Sequence, residues 1–283
     1  MLSPMPTLEK QVVLVTGCST GIGRALALEL HARGHRVFAS ARRLEAVADL
    51  VAAGIGTVRL DVDDPGSIAA AVAEAERRAG GIDVLVNNAG INVFGPLLEQ
   101  PLAETRAIFE TNVLGLLAVT QAVVPGMADR RRGRVVNLGS VVGVLPTPYA
   151  GAYCASKSAV HMLSEVLRME LAPFGVDVVV VQPGGVRSSI AESGARGLER
   201  YRAERSRYRE VYAGIEKRAN ASQQNPMPAE DFARELAQQA FAIPAPRVVR
   251  LGTGADTLPS LAELPGEQRD AMLAANFGLN RTL

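Results

Sequence analysis

The chain has 283 residues, 48% hydrophobic and 21% charged, a balance that can bury a sizeable core and excludes bulk disorder. Lys and Arg total 30 against 29 Asp and Glu, so the net charge is +1 and a phosphate-backbone partner is not expected. Only 4% of residues are aromatic and none is Trp, which argues against stacking platforms for single-stranded nucleic acid.

In chain order, strand and helix signals alternate. Val12–Val15 reads as a strand that ends in a glycine-rich turn, and residues 22–33 as a helix. Val37–Ala39 is a second strand and 43–53 a second helix. Thr57–Leu60 is a third strand, and Pro65 opens a helix that continues through Ala79. Asp83–Val86 is a fourth strand, 102–128 a long helix with Pro125 near its end, and Arg134–Leu138 a fifth strand. A helix over 151–172 stops at Pro173, and Asp177–Val181 is a sixth strand. Strands apolar on both faces, separated by helices, predict a doubly wound α/β fold of the Rossmann type, with a parallel sheet of about seven strands flanked by helices. The reading is one domain over 1–283. A core at 10–186 precedes an insertion at 187–245, then a last strand (Arg247–Leu251) and a tail within 246–283. The insertion carries helix Ala229–Ala242, and the tail a helix at 266–276.

Cys18 and Cys154 are too few for a zinc set or a disulfide framework, and no metal is expected. They read as packing residues in a reducing, cytoplasmic setting. Residues 1–10 lack an apolar core, so no signal peptide is expected. The uncharged run between Arg134 and Lys157 holds Asn137, Pro146 and Pro148, which argues against a membrane span. His31, His35 and His161 show no metal-ligand spacing and read as structural.

Four motifs carry chemistry. Thr16-Gly17-Cys18-Ser19-Thr20-Gly21-Ile22-Gly23 follows a strand and opens a helix, where backbone N–H groups and the helix dipole suit a pyrophosphate. The competing reading is a glycine turn without a ligand. Ala41-Arg42-Arg43 ends the second strand, where an NAD site needs an acid for the ribose 2′-OH. No acid is there, and a guanidinium matches a 2′-phosphate. Arg42 is therefore the main NADP clamp, with Ser40 or Arg43 as helpers; the alternative is solvated loop arginines. Asn87-Asn88-Ala89-Gly90 gives small residues at the fourth strand's end, or a plain turn. Tyr153 and Lys157 share a helix face at i and i+4, with Ser140 earlier at a strand end. An ammonium near a phenol favours the phenolate, as an acid–base tyrosine at neutral pH requires.

Together these motifs resemble the classical short-chain dehydrogenases/reductases over residues 10–190. The resemblance implies Tyr153 as acid–base catalyst and Ser140 as the group that polarises the carbonyl. It implies that Lys157 binds the nicotinamide ribose and lowers the Tyr153 pKa, and that Asn112 holds a water for proton relay. Cofactor contacts implied are Gly17, Ser19, Thr20, Gly21, Ile22 and Gly23 at the phosphates, and Ala41 and Arg42 at the ribose. Asp61 and Val62 fall at the adenine, followed by Asn88, Ala89 and Gly90, with Tyr153 and Lys157. Pro183, Gly184, Val186 and Ser188 fall by the nicotinamide, with Asn87 mainly structural. Thr20 stands where some NADP-preferring members carry a basic residue, which leaves dual NADP/NAD use open. The resemblance also implies an interface on the two long helices and hence a homodimer or homotetramer; a tail such as 252–283 covering that surface would leave a monomer.

Arg187–Arg218 holds eight Arg, one Lys and five Glu, a local charge of +4. Tyr201, Tyr208 and Tyr212 recur at spacings of 7 and 4, which predicts one helical lid with an aromatic inner face and a charged outer face. The alternatives are a solvated helix, or a cationic site for a phosphate or CoA group. The long lid and tail resemble hydroxysteroid and retinol-type members of the family. The expected activity is reversible, NADP(H)-dependent reduction of a bulky apolar ketone or aldehyde. The competing functions are NAD-dependent alcohol oxidation of the hydroxysteroid type, or dinucleotide sensing without turnover.

Overall fold

The computed structural model describes residues 6–280. Seven strands form one parallel sheet in the order β3-β2-β1-β4-β5-β6-β7. They are β1 (Val12–Val15), β2 (Arg36–Ala41), β3 (Gly56–Arg59), β4 (Val84–Asn87), β5 (Gly133–Leu138), β6 (Val176–Pro183) and β7 (Val248–Leu251). The order reverses between β1 and β4, so the strand ends there open a crevice at the carboxyl edge.

Alternation along each strand feeds two separate cores. Val13, Val15, Val37, Ala39, Val84 and Val86 point to one face, where α1 (Gly21–Ala32) packs beside α9 (Ala229–Ala240). Leu14, Phe38, Val58, Leu85 and Val135 point to the other, against α3 (Pro65–Ala79) and α5 (Leu116–Asp129). Each strand is thus buried on both sides, which is why the strands read as unbroken apolar runs. Residues 229–240 belong to the sheet's helical layer, so the insertion above the crevice is confined to the segment before them.

Several elements differ from the sequence expectation. The second helix is one 3₁₀ turn, Leu44–Val47, followed by a short α2 (Ala48–Ala52). The long helix is α4 (Leu102–Phe109), a π-helical turn at Glu110–Gly115, then α5, with Pro125 inside it. The π-turn brings Gly115 against Val62, where a Cβ would meet the Val62 carbonyl at 2.8 Å. The run Leu102–Asp129 is long and apolar enough to cross a membrane by length and composition, and just over half of its 18-residue apolar window is buried in this fold. This run carries charged Glu104, Arg106 and Glu110, so it lies outside the uncharged stretch after Arg134.

No single helix spans the three tyrosines of the insertion. Chain order gives α7 (Ser189–Gly194), a 3₁₀ turn holding Tyr201, a turn at Tyr208, and α8 (Tyr212–Asn220). Long-range anchors override the helical spacing. Arg200 grips Glu104 of α4 with two bonds of 2.6 and 2.7 Å, and Glu99 accepts from the Ser206 hydroxyl and the Arg207 N–H. Tyr201 and Tyr212 are nonetheless buried in one cluster with Phe94, Tyr149 and Val142, a roof against which Tyr153 packs. The tail, α10 (Leu258–Ala262) and α11 (Gly266–Phe277), closes this roof, with the Tyr149 hydroxyl donating to the Phe277 carbonyl.

Candidate active site

The glycine turn after β1 is held open by its neighbours. Gly17 and Gly21 have φ of +72° and +59°, conformations that L side chains rarely adopt. A Cβ on Gly23 would sit 2.6 Å from the Gly17 carbonyl and closer still to the Asn88 amide. That amide donates to the Thr16 and Gly17 carbonyls, while the Thr16 hydroxyl accepts from the N–H groups of Asn88 and Ala89. Asn88 therefore acts through its side chain as a strap on the turn. The first turn of α1 has no side-chain cap, so its N–H groups are free for an anion. Thr20 and Ser189 share a hydrogen bond of 2.7 Å, joining the turn to the start of α7, and Ser188 lies over Gly21.

At the end of β2, Ala41 is buried while Arg42 and Arg43 are exposed. Ser40 is wholly buried, with its hydroxyl sealed inside, which removes it as a helper to Arg42. Cys18 is buried too; burial pushes its thiol up to about 12, in keeping with a packing role. Val62 is buried and Asp61 half-buried at the end of β3. Asp61 accepts from the Asp63 N–H. Pro183-Gly184-Gly185-Val186 is laced to two other loops: Gly185 exchanges bonds with Thr253 and accepts from Met227. A Cβ on Gly184 would stand 2.3 Å from the Thr253 carbonyl. Bare turns, an uncapped helix and a free arginine beyond β2 make a cradle that fits a dinucleotide.

The proton-transfer groups gather beside it. Tyr153 and Lys157 lie on α6 (Gly151–Leu171), with the Lys157 ammonium 5.6 Å from the Tyr153 ring centre. Lys157 is buried and donates to the Leu138 carbonyl at 2.8 Å; burial lowers its pKa to about 8, so it stays mostly charged at neutral pH. Burial raises the Tyr153 hydroxyl to about 12, and the lone protein shows no net lowering; Arg218 and the Ser140 hydroxyl pull it the other way. Desolvation outweighs both of these. Ser140 caps the 3₁₀ turn Val141–Gly143 by accepting from the Val142 N–H.

Asn112 sits in the π-turn, almost fully buried. Its amide accepts from the Ile91 N–H and donates to the Ile91 carbonyl and the Ser156 hydroxyl. The side chain thus ties Gly90-Ile91 to α6 and is largely occupied in doing so. A Cβ on Gly90 would meet the Asn112 oxygen at 3.1 Å, so only a bare backbone fits closely there. Asn87 bonds Thr120 and Asn137 inside the sheet, a structural position as expected.

Two residues were not placed at the site from sequence, where His161 reads as structural only. His161 lies one turn beyond Lys157; its Nε2 accepts from the Ser140 N–H, and its ring fills the space over Gly139 and Gly143. Burial and the Lys157 charge lower its pKa to about 4, so it is neutral and able to accept. The i+4 step from Lys157 was the available signal. Arg218, on α8, was counted only within the charge run, yet it is buried beside Phe94 and Thr147. A cleft of about 560 Å³ borders the site at Thr147 and Cys154, with Val142, Leu97 and Leu273 in its walls, but Tyr153 and Ser140 do not line it. Among the described residues, no group of three or more His, Cys, Asp or Glu side chains is placed to hold a metal ion.

Residues 11–198 match the family model described as short chain dehydrogenase. The chain belongs to the short-chain dehydrogenase family. A short-chain dehydrogenase of Talaromyces islandicus is 41% identical over 63% of this chain and 64% of its own length. An NADPH-dependent 1-acyldihydroxyacetone phosphate reductase of Schizosaccharomyces pombe is 37% identical over 64% of this chain and 62% of its own. The chain thus spans under two thirds of both curated relatives. A short-chain dehydrogenase structure from Streptomyces avermitilis aligns over 94% of this chain and 95% of its own, with 35% identity and a TM-score of 0.79. A short-chain dehydrogenase/reductase from Burkholderia phymatum in complex with NAD aligns over 99% and 100%, with 27% identity and a TM-score of 0.78.

Proposed function

We propose that this short-chain dehydrogenase reduces a bulky, apolar ketone or aldehyde reversibly with NADP(H). The observation that carries the reading is the gathering of Ser140, Tyr153 and Lys157 beside a bare glycine cradle at one edge of the sheet. The nicotinamide, when bound, supplies the hydride for the carbonyl carbon or accepts it back. Ser140 donates a hydrogen bond to the substrate oxygen and polarises it. Tyr153 gives that oxygen its proton as the alcohol forms. Lys157, anchored by Leu138 and charged at neutral pH, holds the cofactor ribose and favours the phenolate that Tyr153 leaves behind. Asn112 positions the Gly90-Ile91 backbone and Ser156.

For the cofactor, Arg42 stands exposed where an acid would serve NAD, and the fission-yeast relative's name includes NADPH dependence. The Burkholderia phymatum complex favours the second reading, an NAD-linked dehydrogenase. The aromatic roof of Phe94, Tyr149, Tyr201 and Tyr212 supports an apolar substrate body. The free, buried Cys18 and Cys154 support a reducing cytoplasm. Exposed Leu102, Leu114, Met162 and Met169 on the two long helical runs support a homodimer. The test is nicotinamide oxidation with a panel of carbonyls, comparing NADPH with NADH and wild type with Tyr153→Phe and Arg42→Ala.

A further inference from the structure

Among the described residues two arginines are buried, and they are treated oppositely. Arg134 is 3% exposed and fully matched: Asp177 lies at 2.8 Å, and the Ala240 and Ala242 carbonyls each accept at 2.9 Å. Arg218 is 7% exposed, and among the described residues no carboxylate pairs with it. Its Nε donates to the Thr147 hydroxyl at 3.0 Å, and its guanidinium lies 5.2 Å from the centre of the Phe94 ring. The two terminal nitrogens take no partner among the described residues, and neither is sealed away from accessible space.

This placement is costly unless something else completes it. A guanidinium does not give up its proton in a protein, so burial cannot neutralise it. An unpaired buried charge costs several kcal/mol in general, and a hydroxyl with one ring face offsets only part of that. Three separate segments hold the group still: the loop after β4 through Phe94, the loop before α6 through Thr147, and α8 itself. Thr147 also contacts the Cys154 thiol, next to the catalytic tyrosine. The Arg218 charge is felt at both Tyr153 and Cys154. The free side of the guanidinium is a planar fork suited to two oxygens of one anion.

We infer that Arg218 is the recognition site for an anionic group, a carboxylate or a phosphate, on the carbonyl substrate. The inference rests on the reading that this site reduces a carbonyl, and it narrows the substrate to an apolar carbonyl compound with an anionic end. Apolar contact comes from the aromatic roof, and orientation from the fork. Among the insertion's other arginines, Arg200 is taken by Glu104 and Arg202 by Glu199 and Glu216, while Arg187, Arg196, Arg205, Arg207 and Arg209 are exposed to solvent.

The test offers one aryl ketone in three forms: with a terminal carboxylate, as the methyl ester, and as a phosphate monoester of the same length. In wild type, kcat/KM for the carboxylate or the phosphate exceeds that for the ester by about tenfold or more, and the better of the two names the anion. Arg218→Met brings that ratio to within about threefold, mainly through KM, and Arg218→Lys gives an intermediate ratio because it keeps the charge but not the fork. A wild-type preference for the ester overturns the proposal. So does an equal loss on all three forms in Arg218→Met, the result of a purely structural role. Should wild type reduce none of the three with either nicotinamide, the reductase reading fails. Calorimetric titration with the corresponding hydroxy acid and its ester then decides Arg218 separately. Tighter binding of the acid in wild type, lost in Arg218→Met and reduced in Arg218→Lys, upholds the anion site; equal binding of acid and ester overturns it. The wild-type comparisons stand even where Arg218→Met does not fold.

Discussion

At the scale of single residues, burial decides which side chains are available for chemistry. Tyr153 and Lys157 pay opposite consequences of the same desolvation, the phenol raised to about 12 and the ammonium lowered to about 8. His161 shows a stability consequence. Its folded pKa of about 4 lies below the ordinary imidazole value of 6.5, so the unfolded chain binds the proton first as pH falls. Stability is therefore lost from about pH 6.5 down through 4, by up to about 3 kcal/mol from this group. Urea unfolding across that range should show the loss in wild type and a flatter limb in His161→Gln; parallel limbs would remove His161 as the cause. Ser140, Tyr153 and Lys157 were legible in sequence because their spacing carries the chemistry. His161 and Arg218 were not, because a neutral imidazole under a loop and an arginine without a carboxylate are defined by neighbours distant in sequence. Ser40 was misread for the same reason: a strand-end serine looks available until the fold buries it.

At the scale of elements, parallel strands were readable from β-branched runs and the glycine turn from its place between strand and helix. Gly23 is where turn and packing meet. Gly23→Ala would drive a methyl group into the Gly17 carbonyl and the Asn88 strap. The expected cost is about 1–3 kcal/mol of stability, together with weakened nicotinamide-nucleotide binding. Thermal melts and a cofactor titration measure both, and an unchanged variant would show that the turn relaxes freely. The long helix hid its π-turn because apolar periodicity barely registers one added residue per turn, although the turn is what brings Asn112 toward Ile91 and Ser156. The lid's tyrosine spacing fitted one helix, yet Glu99 and Glu104 break it into turns by anchoring Ser206, Arg207 and Arg200. Tertiary anchors of this kind leave no periodic trace in the sequence.

At the scale of the whole molecule, the sheet's reversal between β1 and β4 puts the glycine turn and the ends of β4 and β5 on one edge, with the insertion and tail above them. Exposed Leu102, Leu114, Met162 and Met169 lie on the two long helical runs, the surface of the proposed homodimer. Light scattering should give twice the chain mass, and Met162→Glu with Met169→Glu should halve it; a monomeric wild type would reject this interface. The central claim is hydride exchange with NADP(H) under proton control by Tyr153. The most direct measurement is nicotinamide oxidation by purified protein with bulky ketones, with fluorescence titration of cofactor binding in parallel. The account predicts turnover with NADPH ahead of NADH, a preference narrowed by Arg42→Ala, and a fall of about 10²–10⁴-fold in kcat for Tyr153→Phe with NADPH binding intact. Undiminished turnover in Tyr153→Phe, with cofactor still bound, would contradict it.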